Sequence, residues 1–155
     1  MTLGHNQPSL PSDSHMKRVY FSSHSCPPPS FTASNLDIQE FHQISDQTLD
    51  SLSEILERLV ELDHPKVTGW DVDYSSGVMN FSLGDHGTYV LNKQPPNKQI
   101  WLSSPFSGPK RFDYDKEQKC WFYGREGSEL MSLLRTEIDK ILEDNSFSSL
   151  LTHHS

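Results

Sequence analysis

Hydrophobic positions between residues 36 and 63 recur at helical spacing and predict one long amphipathic helix. At about 100° per residue they fall on the face expected to pack on a core. These positions are Ile38, Phe41, Leu49, Leu52, Ile55, Leu56 and Leu59. The opposite face carries carboxylates three or four residues apart, here called the acidic stripe: Asp46, Asp50, Glu54, Glu57 and Glu61. A capping-box-like start at 34–37 and an end before Pro65 delimit the helix.

From Trp70 onwards the apolar period changes to two, which predicts β-strands. Turn residues such as Gly77 and Gly84 separate short alternating segments, so we expect successive strands to pair as an antiparallel meander. The predicted strands cover residues 70–74, 79–83, 88–91, 99–103, 111–114 and 120–123. A second helix is predicted after the cap at 127–129, with Leu130, Leu134, Ile138 and Ile141 on its apolar face.

The order of these elements is a helix, a run of strands and a helix. It predicts an α+β two-layer sandwich, in which two terminal helices pack on one face of an antiparallel β-sheet. We expect this domain to cover residues 34–145. Residues 1–33 are rich in Ser, Pro and His and are expected to be a disordered N-terminal segment, either a leader remnant or an added tail. Residues 146–155 are expected to form a flexible C-terminal tail.

Negative charge is concentrated in the first predicted helix. Residues 36–63 contain eight carboxylates and one arginine, Arg58, and so carry −7 of the chain's net −8. Because a solvated helix usually intersperses lysine among its acids, the stripe favours a surface that attracts cations or a basic partner. A merely solvated face is the alternative. Nucleic acid is not expected as a partner, since phosphate binding needs clustered Lys and Arg.

Other compositional features narrow the function classes further. No apolar run approaches the roughly 18–20 residues of a transmembrane helix, so we expect no membrane insertion. Cys26 and Cys120 make neither a disulfide framework nor a zinc site. The eight histidines contain no His-Glu-x-x-His pattern, and nothing in their spacing requires a metal.

The segment Asn92–Trp101 combines amides, cations and a tryptophan on predicted sheet surface. If Trp101 alternates with Ile100 and Leu102 along a strand, it faces away from both and toward solvent. An exposed tryptophan flanked by amides is typical of a protein-binding hot spot. The alternative, of equal weight, is that Trp101 covers the second helix or packs across strands.

The longest recognisable motif lies in this same region. Residues 87–105 read GTYVLNKQPPNKQIWLSSP and residues 107–113 read SGPKRFD. This run resembles the signature of the frataxin family. The segments TLDSL at 48–52 and SGV at 76–78 also fit, so the resemblance covers about residues 36–143. The form of residues 89–96 suggests the fungal branch.

The resemblance implies a mitochondrial matrix protein of iron–sulfur cluster assembly, an allosteric activator of the cysteine desulfurase–scaffold complex that promotes persulfide sulfur transfer. In that family an acidic ridge binds iron, as Fe²⁺ or Fe³⁺, weakly and meets a basic patch on the desulfurase, while the sheet meets the scaffold protein. Carried over by position, the metal candidates are Asp46, Asp50, Glu54, Glu57, Glu61 and Asp71. The partner-binding candidates are Asn92, Gln94, Trp101 and Arg111.

Two further functions remain open: an iron chaperone or ferroxidase that delivers Fe²⁺ from the ridge, and an iron-storing oligomer. His42, Gln47 and Arg58 stand where relatives often carry acids, so no iron stoichiometry follows from the resemblance. Carboxylates on one exposed helix face cannot enclose an ion, so iron would be mostly hydrated and weakly bound. A ferroxidase would need a closed set of Glu and His ligands, so no catalytic residue is assigned and enzyme status stays open. The chain is expected to be a monomer or an iron-dependent oligomer.

Overall fold

The computed structural model describes residues 30–154 and consists of a seven-stranded antiparallel sheet with helices before and after it. The strands pair with one another in chain order. This arrangement confirms the predicted α+β class. The helices are α1 (Ile38–Val60), α2 (Leu130–Leu142) and α3 (Ser146–Thr152). The strands are β1 (Asp71–Ser75), β2 (Val78–Ser82), β3 (Thr88–Gln94), β4 (Gln99–Ser104), β5 (Gly108–Asp115), β6 (Cys120–Tyr123) and β7 (Ser128–Glu129).

Helix α1 begins slightly later than the sequence pattern predicted. Asp37 is the N-cap: its carboxylate accepts the Glu40 N–H at 2.8 Å, and the Glu40 carboxylate accepts the Asp37 N–H at 3.0 Å. The predicted start at 34–37 therefore contains the N-cap, Asp37, but the capping box is formed by Asp37 and Glu40 and not within 34–37. Ile38 lies in the first turn and is 45% exposed, so it does not belong to the packed face. The other predicted apolar positions of α1 are buried.

One face of the sheet packs against the helices and forms the core with them. Inward side chains alternate along each strand, as the period of two predicted: Met79, Phe81, Tyr89, Leu91, Ile100, Leu102, Phe112 and Trp121. None of the helices within residues 30–154 is both long and apolar enough to span a bilayer. The other face of the sheet, here called the open face, carries the alternate residues of the same strands.

Helix α2 follows the predicted pattern at its beginning and departs from it at its end. Leu130, Leu134 and Ile138 are buried, but Leu142 completes the buried stripe, and Ile141 is only partly buried. The carboxylate of Glu137 fastens the helix to the sheet, since it accepts hydrogen bonds from the Tyr89 hydroxyl at 2.8 Å and the Ser104 hydroxyl at 2.7 Å.

The segment predicted to be a flexible C-terminal tail contains helix α3, so that prediction was wrong. Phe147 in this helix is 0% exposed. The Asp139 carboxylate of α2 caps the beginning of α3 by accepting the Phe147 N–H at 3.1 Å and the Ser148 N–H at 3.3 Å. A seven-residue, serine-rich helix has little local signal, because its stability comes from these tertiary contacts.

At the other end, residues 31–34 attach to the sheet and are here called the N-terminal clip. The Phe31 ring stacks on Phe122, with centroids 5.2 Å apart. The Thr32 N–H donates to the Asp115 carboxylate at 2.8 Å, and the Ser34 N–H donates to a β5 carbonyl at 2.9 Å. Residues 31–33 were predicted to be disordered and are instead attached. The rest of the predicted N-terminal segment, 1–29, lies outside the described residues.

The favourable and unfavourable contributions to the free energy of attaching the clip nearly cancel. Partial burial of the Phe31 ring stabilises by at most about 2–3 kcal/mol, and three hydrogen bonds, counting Lys116 N–H to Ser34 Oγ, add about 1 kcal/mol each. Ordering four backbone residues costs about 1–2 kcal/mol each. The sum lies within a few kcal/mol of zero, so the clip can open without unfolding the domain.

Replacing Phe147 by Ala should lower the free energy of unfolding by about 3–5 kcal/mol, because it leaves a cavity beneath α3. Phe106→Ala is the matched control, since Phe106 is 48% exposed, and its change should stay within about 1 kcal/mol. Denaturant unfolding of both variants measures the difference. Equal losses would contradict the packed position of α3.

The pH dependence of stability should include a contribution from Asp115. Hydrogen bonds from the backbone N–H groups of Thr32, Gln118 and Glu117 hold the pKa of this carboxyl below its usual 3.8. A carboxyl with a depressed pKa stabilises the fold above its unfolded-state pKa, and this contribution is lost as the pH falls below about 4. Between pH 7 and pH 3 the free energy of unfolding should therefore fall less steeply for Asp115→Asn than for the unchanged chain. Parallel curves would rule out this contribution.

Candidate functional site

The acidic stripe follows the solvent side of α1 as predicted from the sequence. Asp50, Glu54, Glu57 and Glu61 are exposed, and Asp46 is half-exposed. Helical neighbours three or four residues apart have Cβ atoms about 5–6 Å from one another. The stripe is therefore a continuous band of negative charge along the helix.

The first carboxylate of the stripe is paired with a lysine from the sheet. Lys93 of β3 places its Nζ 2.5 Å from Asp46 Oδ1 and 2.9 Å from His42 Nδ1. The same ammonium lies 5.9 Å from the centroid of the Phe41 ring. Lys93 thus joins the N-terminal half of α1 to β3 and neutralises one end of the stripe.

The end of α3 contacts the C-terminal half of the stripe. His154 Nε2 lies 3.4 Å from a Glu54 carboxylate oxygen, and its Nδ1 lies 2.7 Å from Arg58 Nη2. Glu57 accepts a hydrogen bond from Ser53 within α1 at 3.3 Å. Within residues 30–154, Asp50 and Glu61 are the stripe carboxylates that make no side-chain hydrogen bond or ion pair. These two have the greatest freedom to meet a cation or a basic partner.

The structure does not bring Asp71 into the acidic stripe. Along β1 the side chains of Val72 and Tyr74 pack toward the core, so Asp71 and Asp73 lie on the opposite side, on the open face. The β1 residue that does approach the stripe is Tyr74. Burial raises the pKa of the Tyr74 hydroxyl, and the nearby charge of Asp50 raises it further. Strand alternation, the signal that could have separated Asp71 from Tyr74, is present in the sequence.

The ligands that the acidic stripe offers determine which kind of iron binding it fits. Within the described residues, no group of three or more His, Cys, Asp or Glu side chains is arranged to hold a metal ion. Single carboxylates on a convex helix face offer a few oxygens to an ion that keeps most of its water. The stripe therefore fits weakly held, exchangeable iron carried as cargo, and does not fit a resident metal centre.

Three of the four partner-binding candidates form one row across the open face. The register pairs Asn92 with Trp101 and Trp101 with Arg111, on β3, β4 and β5. The Arg111 guanidinium carbon lies 4.3 Å from the centroid of the Trp101 ring. The Trp101 indole N–H donates to Gln99 Oε1 at 2.9 Å. Trp101 therefore faces outward from the core and also packs across strands, which combines the two alternatives drawn from the sequence.

The fourth candidate, Gln94, lies in the next row of the same face. It pairs with Gln99, whose amide donates to the Asp113 carboxylate at 3.0 Å. Asp113 in turn pairs with Phe122 of β6, the residue under the N-terminal clip. The open face thus presents two adjacent rows of planar and amide side chains, with a shallow groove of about 250 Å³ along Trp101 and Arg111.

Comparison with known protein families gives a match to most of the folded region. The model of the frataxin-like domain matches residues 34–144. The mitochondrial frataxin of Arabidopsis thaliana is 43% identical over 109 residues, which are 70% of this chain and 57% of that protein. The mitochondrial homologue of Schizosaccharomyces pombe is 45% identical over 101 residues, which are 65% of this chain and 63% of that protein. The match therefore covers less than two thirds of the length of either relative. The plant and fungal proteins have similar identities to this chain, so the comparison does not single out the fungal branch.

Solved structures agree with the fold. A structure of yeast frataxin aligns with a TM-score of 0.59 at 39% identity, covering 77% of this chain and 96% of that one. A trimeric frataxin from Saccharomyces cerevisiae in complex with ferrous iron aligns with a TM-score of 0.57 at 41% identity. The alignment covers 75% of this chain and 93% of that one. A second structure of trimeric Saccharomyces cerevisiae frataxin, with the full-length N-terminus, aligns with a TM-score of 0.54 at 34% identity. This alignment covers 90% of this chain and 100% of that one.

Reversing one charge in the stripe should stabilise the protein. Asp50→Lys removes repulsion with Asp46 and Glu54 and replaces it by attraction, a gain of about 1 kcal/mol at low ionic strength. The gain should shrink in about 1 M salt, where charges are screened within about 3 Å, while the unchanged chain becomes more stable as salt is added. Asp85→Lys, in an exposed turn, changes the net charge equally and is the control. Equal shifts in the denaturant midpoint for both variants would show that stripe repulsion does not limit stability.

Proposed function

This chain belongs to the frataxin family, and we propose on that premise that it activates a cysteine desulfurase–scaffold complex during iron–sulfur cluster assembly. The observation that carries the proposal is the row formed by Asn92, Trp101 and Arg111 on the open face. It is a docking surface for the scaffold protein. The acidic stripe of α1 is the surface for the basic patch of the desulfurase.

The row has the physical properties of a binding hot spot. Tryptophan and arginine are the residues that most often dominate the energy of protein interfaces. Arg111 already stacks on Trp101, so both side chains are held in place before a partner arrives. This pre-organisation lowers the entropy that must be lost on binding. Asn92 and Gln94 add amide donors and acceptors beside the ring.

Strand β3 connects the two proposed docking surfaces. Asn92 points to the open face, whereas the next residue, Lys93, points to the helices and pairs with Asp46 of the stripe. Successive strand residues face opposite sides, so one short segment contributes to both surfaces. A complex of two subunits could therefore contact the stripe and the open face together.

The chain itself carries out no covalent step in this proposal. Sulfur moves between thiols of the desulfurase and the scaffold, and this chain holds the two in the arrangement that favours transfer. Cys120 is not a sulfur carrier, because burial raises the pKa of its thiol to about 11 and leaves it protonated near neutral pH. The proposed compartment is the mitochondrial matrix, in keeping with relatives that are mitochondrial frataxins.

Iron delivery is the second candidate function. The observation that favours it is the yeast relative whose trimeric structure is a complex with ferrous iron. In this chain Asp50 and Glu61 would offer open carboxylates to a hydrated Fe²⁺. Ferrous iron is then cargo or a regulator of docking. Trimer formation by this chain, as in that relative, belongs to the same proposal.

Trp101→Ala should abolish the stimulation of sulfide production by the cognate desulfurase and scaffold, assayed with cysteine under reducing, anaerobic conditions. Loss of a hot-spot side chain typically weakens binding by about 30-fold or more, whereas Fe²⁺ affinity measured by calorimetry should not change. Phe106→Ala is the matched control and should keep the stimulation, because Phe106 is an exposed aromatic residue that contacts Tyr89 of the core and does not belong to the row.

The combined charge reversal of Asp50, Glu54 and Glu57 tests iron delivery through the Fe²⁺ affinity, whereas Trp101→Ala is the variant that separates the two functions, because the stripe is also the proposed surface for the desulfurase. The charge reversal should remove Fe²⁺ binding, and unchanged Fe²⁺ affinity would count against iron delivery from the stripe. Stimulation that survives in Trp101→Ala would overturn docking through the open face. The first proposal then fails while the iron proposal can still hold.

A further inference from the structure

One residue is hidden on the open face although it does not belong to the core. Phe122 is only 5% exposed, yet it is not a member of the buried cluster that the helices and the sheet form together. Its neighbour Trp121 points to the helices and donates to Thr48 of α1 at 3.0 Å, so Phe122 points to the other side. The ring that covers it is Phe31, stacked at an interplanar angle of 18°. The N-terminal clip therefore occupies part of the open face.

The covered position lies within reach of a protein docked on Trp101. Trp101 on β4 and Phe122 on β6 are two interstrand spacings apart, about 4.8 Å each, and their rows are offset by two residues, about 6.6 Å along the strand. The separation of the two backbone positions is therefore about 12 Å. A standard interface buries about 800 Å² per partner, a patch of about 16 Å radius. A partner centred on Trp101 would meet the clip.

We propose that the N-terminal clip competes with the protein partner for the open face. In the closed state Phe31 covers Phe122 and the Thr32 N–H occupies the Asp115 carboxylate. In the open state Phe122, which pairs with Asp113, and Asp115, two residues further along β5, extend the docking surface beyond Arg111. The inference rests on the proposed function, since it concerns the same face and the same partner.

The chemistry of the uncovered site specifies what the partner must bring. The exposed Phe122 ring would take an apolar or aromatic side chain in place of Phe31. The freed Oδ2 of Asp115 would take a backbone N–H or a basic side chain in place of Thr32, while Oδ1 keeps the N–H groups of Glu117 and Gln118. The partner segment that docks here therefore combines an apolar side chain with a hydrogen-bond donor, as the clip itself does.

The small difference in free energy between the closed and open states makes the clip suitable as a regulator. A clip held firmly would block the face permanently, and one held loosely would have no effect. When only the open state binds, the apparent dissociation constant is the intrinsic constant divided by the open fraction. A closed fraction of about 50–90% therefore weakens binding by about 2- to 10-fold.

The test measures binding of the cognate desulfurase–scaffold complex to the full-length chain. Phe31→Ala should bind about 2- to 10-fold more tightly than the unchanged chain, because it empties the position over Phe122. Phe106→Ala removes an exposed phenylalanine elsewhere and should not change the affinity. Trp101→Ala should weaken binding with or without Phe31→Ala. A thermal unfolding curve for each variant shows that it is folded.

A second readout follows Phe31 itself. Chymotrypsin cleaves after phenylalanine, and mass spectrometry identifies the cut after residue 31. Faster cleavage there in the complex than in the free chain is the expected result, because the partner displaces the ring. Slower or unchanged cleavage would overturn the competition.

The binding outcomes separate the two ideas. If Trp101→Ala weakens binding but Phe31→Ala leaves it unchanged or weaker, the clip is a structural cover and the competition proposal is wrong. If Trp101→Ala does not weaken binding, docking on the open face is wrong and the competition proposal fails with it.

Discussion

The structure depends on one constraint: a single sheet is covered by helices on one face, and its side chains alternate strictly between the two faces. Burial of Ile100 and Leu102 in the core forces Trp101 to the other side. The same rule sends Asn92 to the open face and Lys93 to the helices. Because cross-strand pairing aligns these residues, alternation along three strands produces a continuous row on the open face.

The acidic stripe is tolerated because the other side of the same helix is so well packed. Six buried apolar side chains of α1 each contribute about 1.5–3 kcal/mol, whereas each like-charge neighbour pair costs a few tenths of a kcal/mol. Lys93 relieves part of that repulsion from outside the helix. The fold can therefore hold a dense negative surface without a metal ion, which leaves the stripe available for a cation or a basic partner.

The sequence predicted those features that depend on local periodicity. The two main helices and six of the seven strands follow from spacing within about ten residues, whereas β7 (Ser128–Glu129) was predicted only as a helix cap. The outward position of Trp101 was one of two alternatives that the sequence left open. The sequence did not predict the N-terminal clip or α3, because Phe31 meets Phe122 and Asp139 caps Phe147 only after the chain has folded. The placement of Asp71 with the stripe came from the family resemblance and ignored the alternation along β1, where Tyr74 faces the helix. The pairing of Asp46 with Lys93 likewise depends on tertiary structure.

These observations together favour a protein that acts by docking. Burial raises the pKa of the Cys120 thiol, and within residues 30–154 no group of three or more His, Cys, Asp or Glu side chains is arranged to hold a metal ion. The domain presents two surfaces of different character, one acidic and one built on Trp101 and Arg111. The clip lies at the border of the second surface and is held by nearly balanced energies. In the proposed competition, the contact between Phe31 and Phe122 lets the availability of this surface change at little cost in free energy and without disturbing the core.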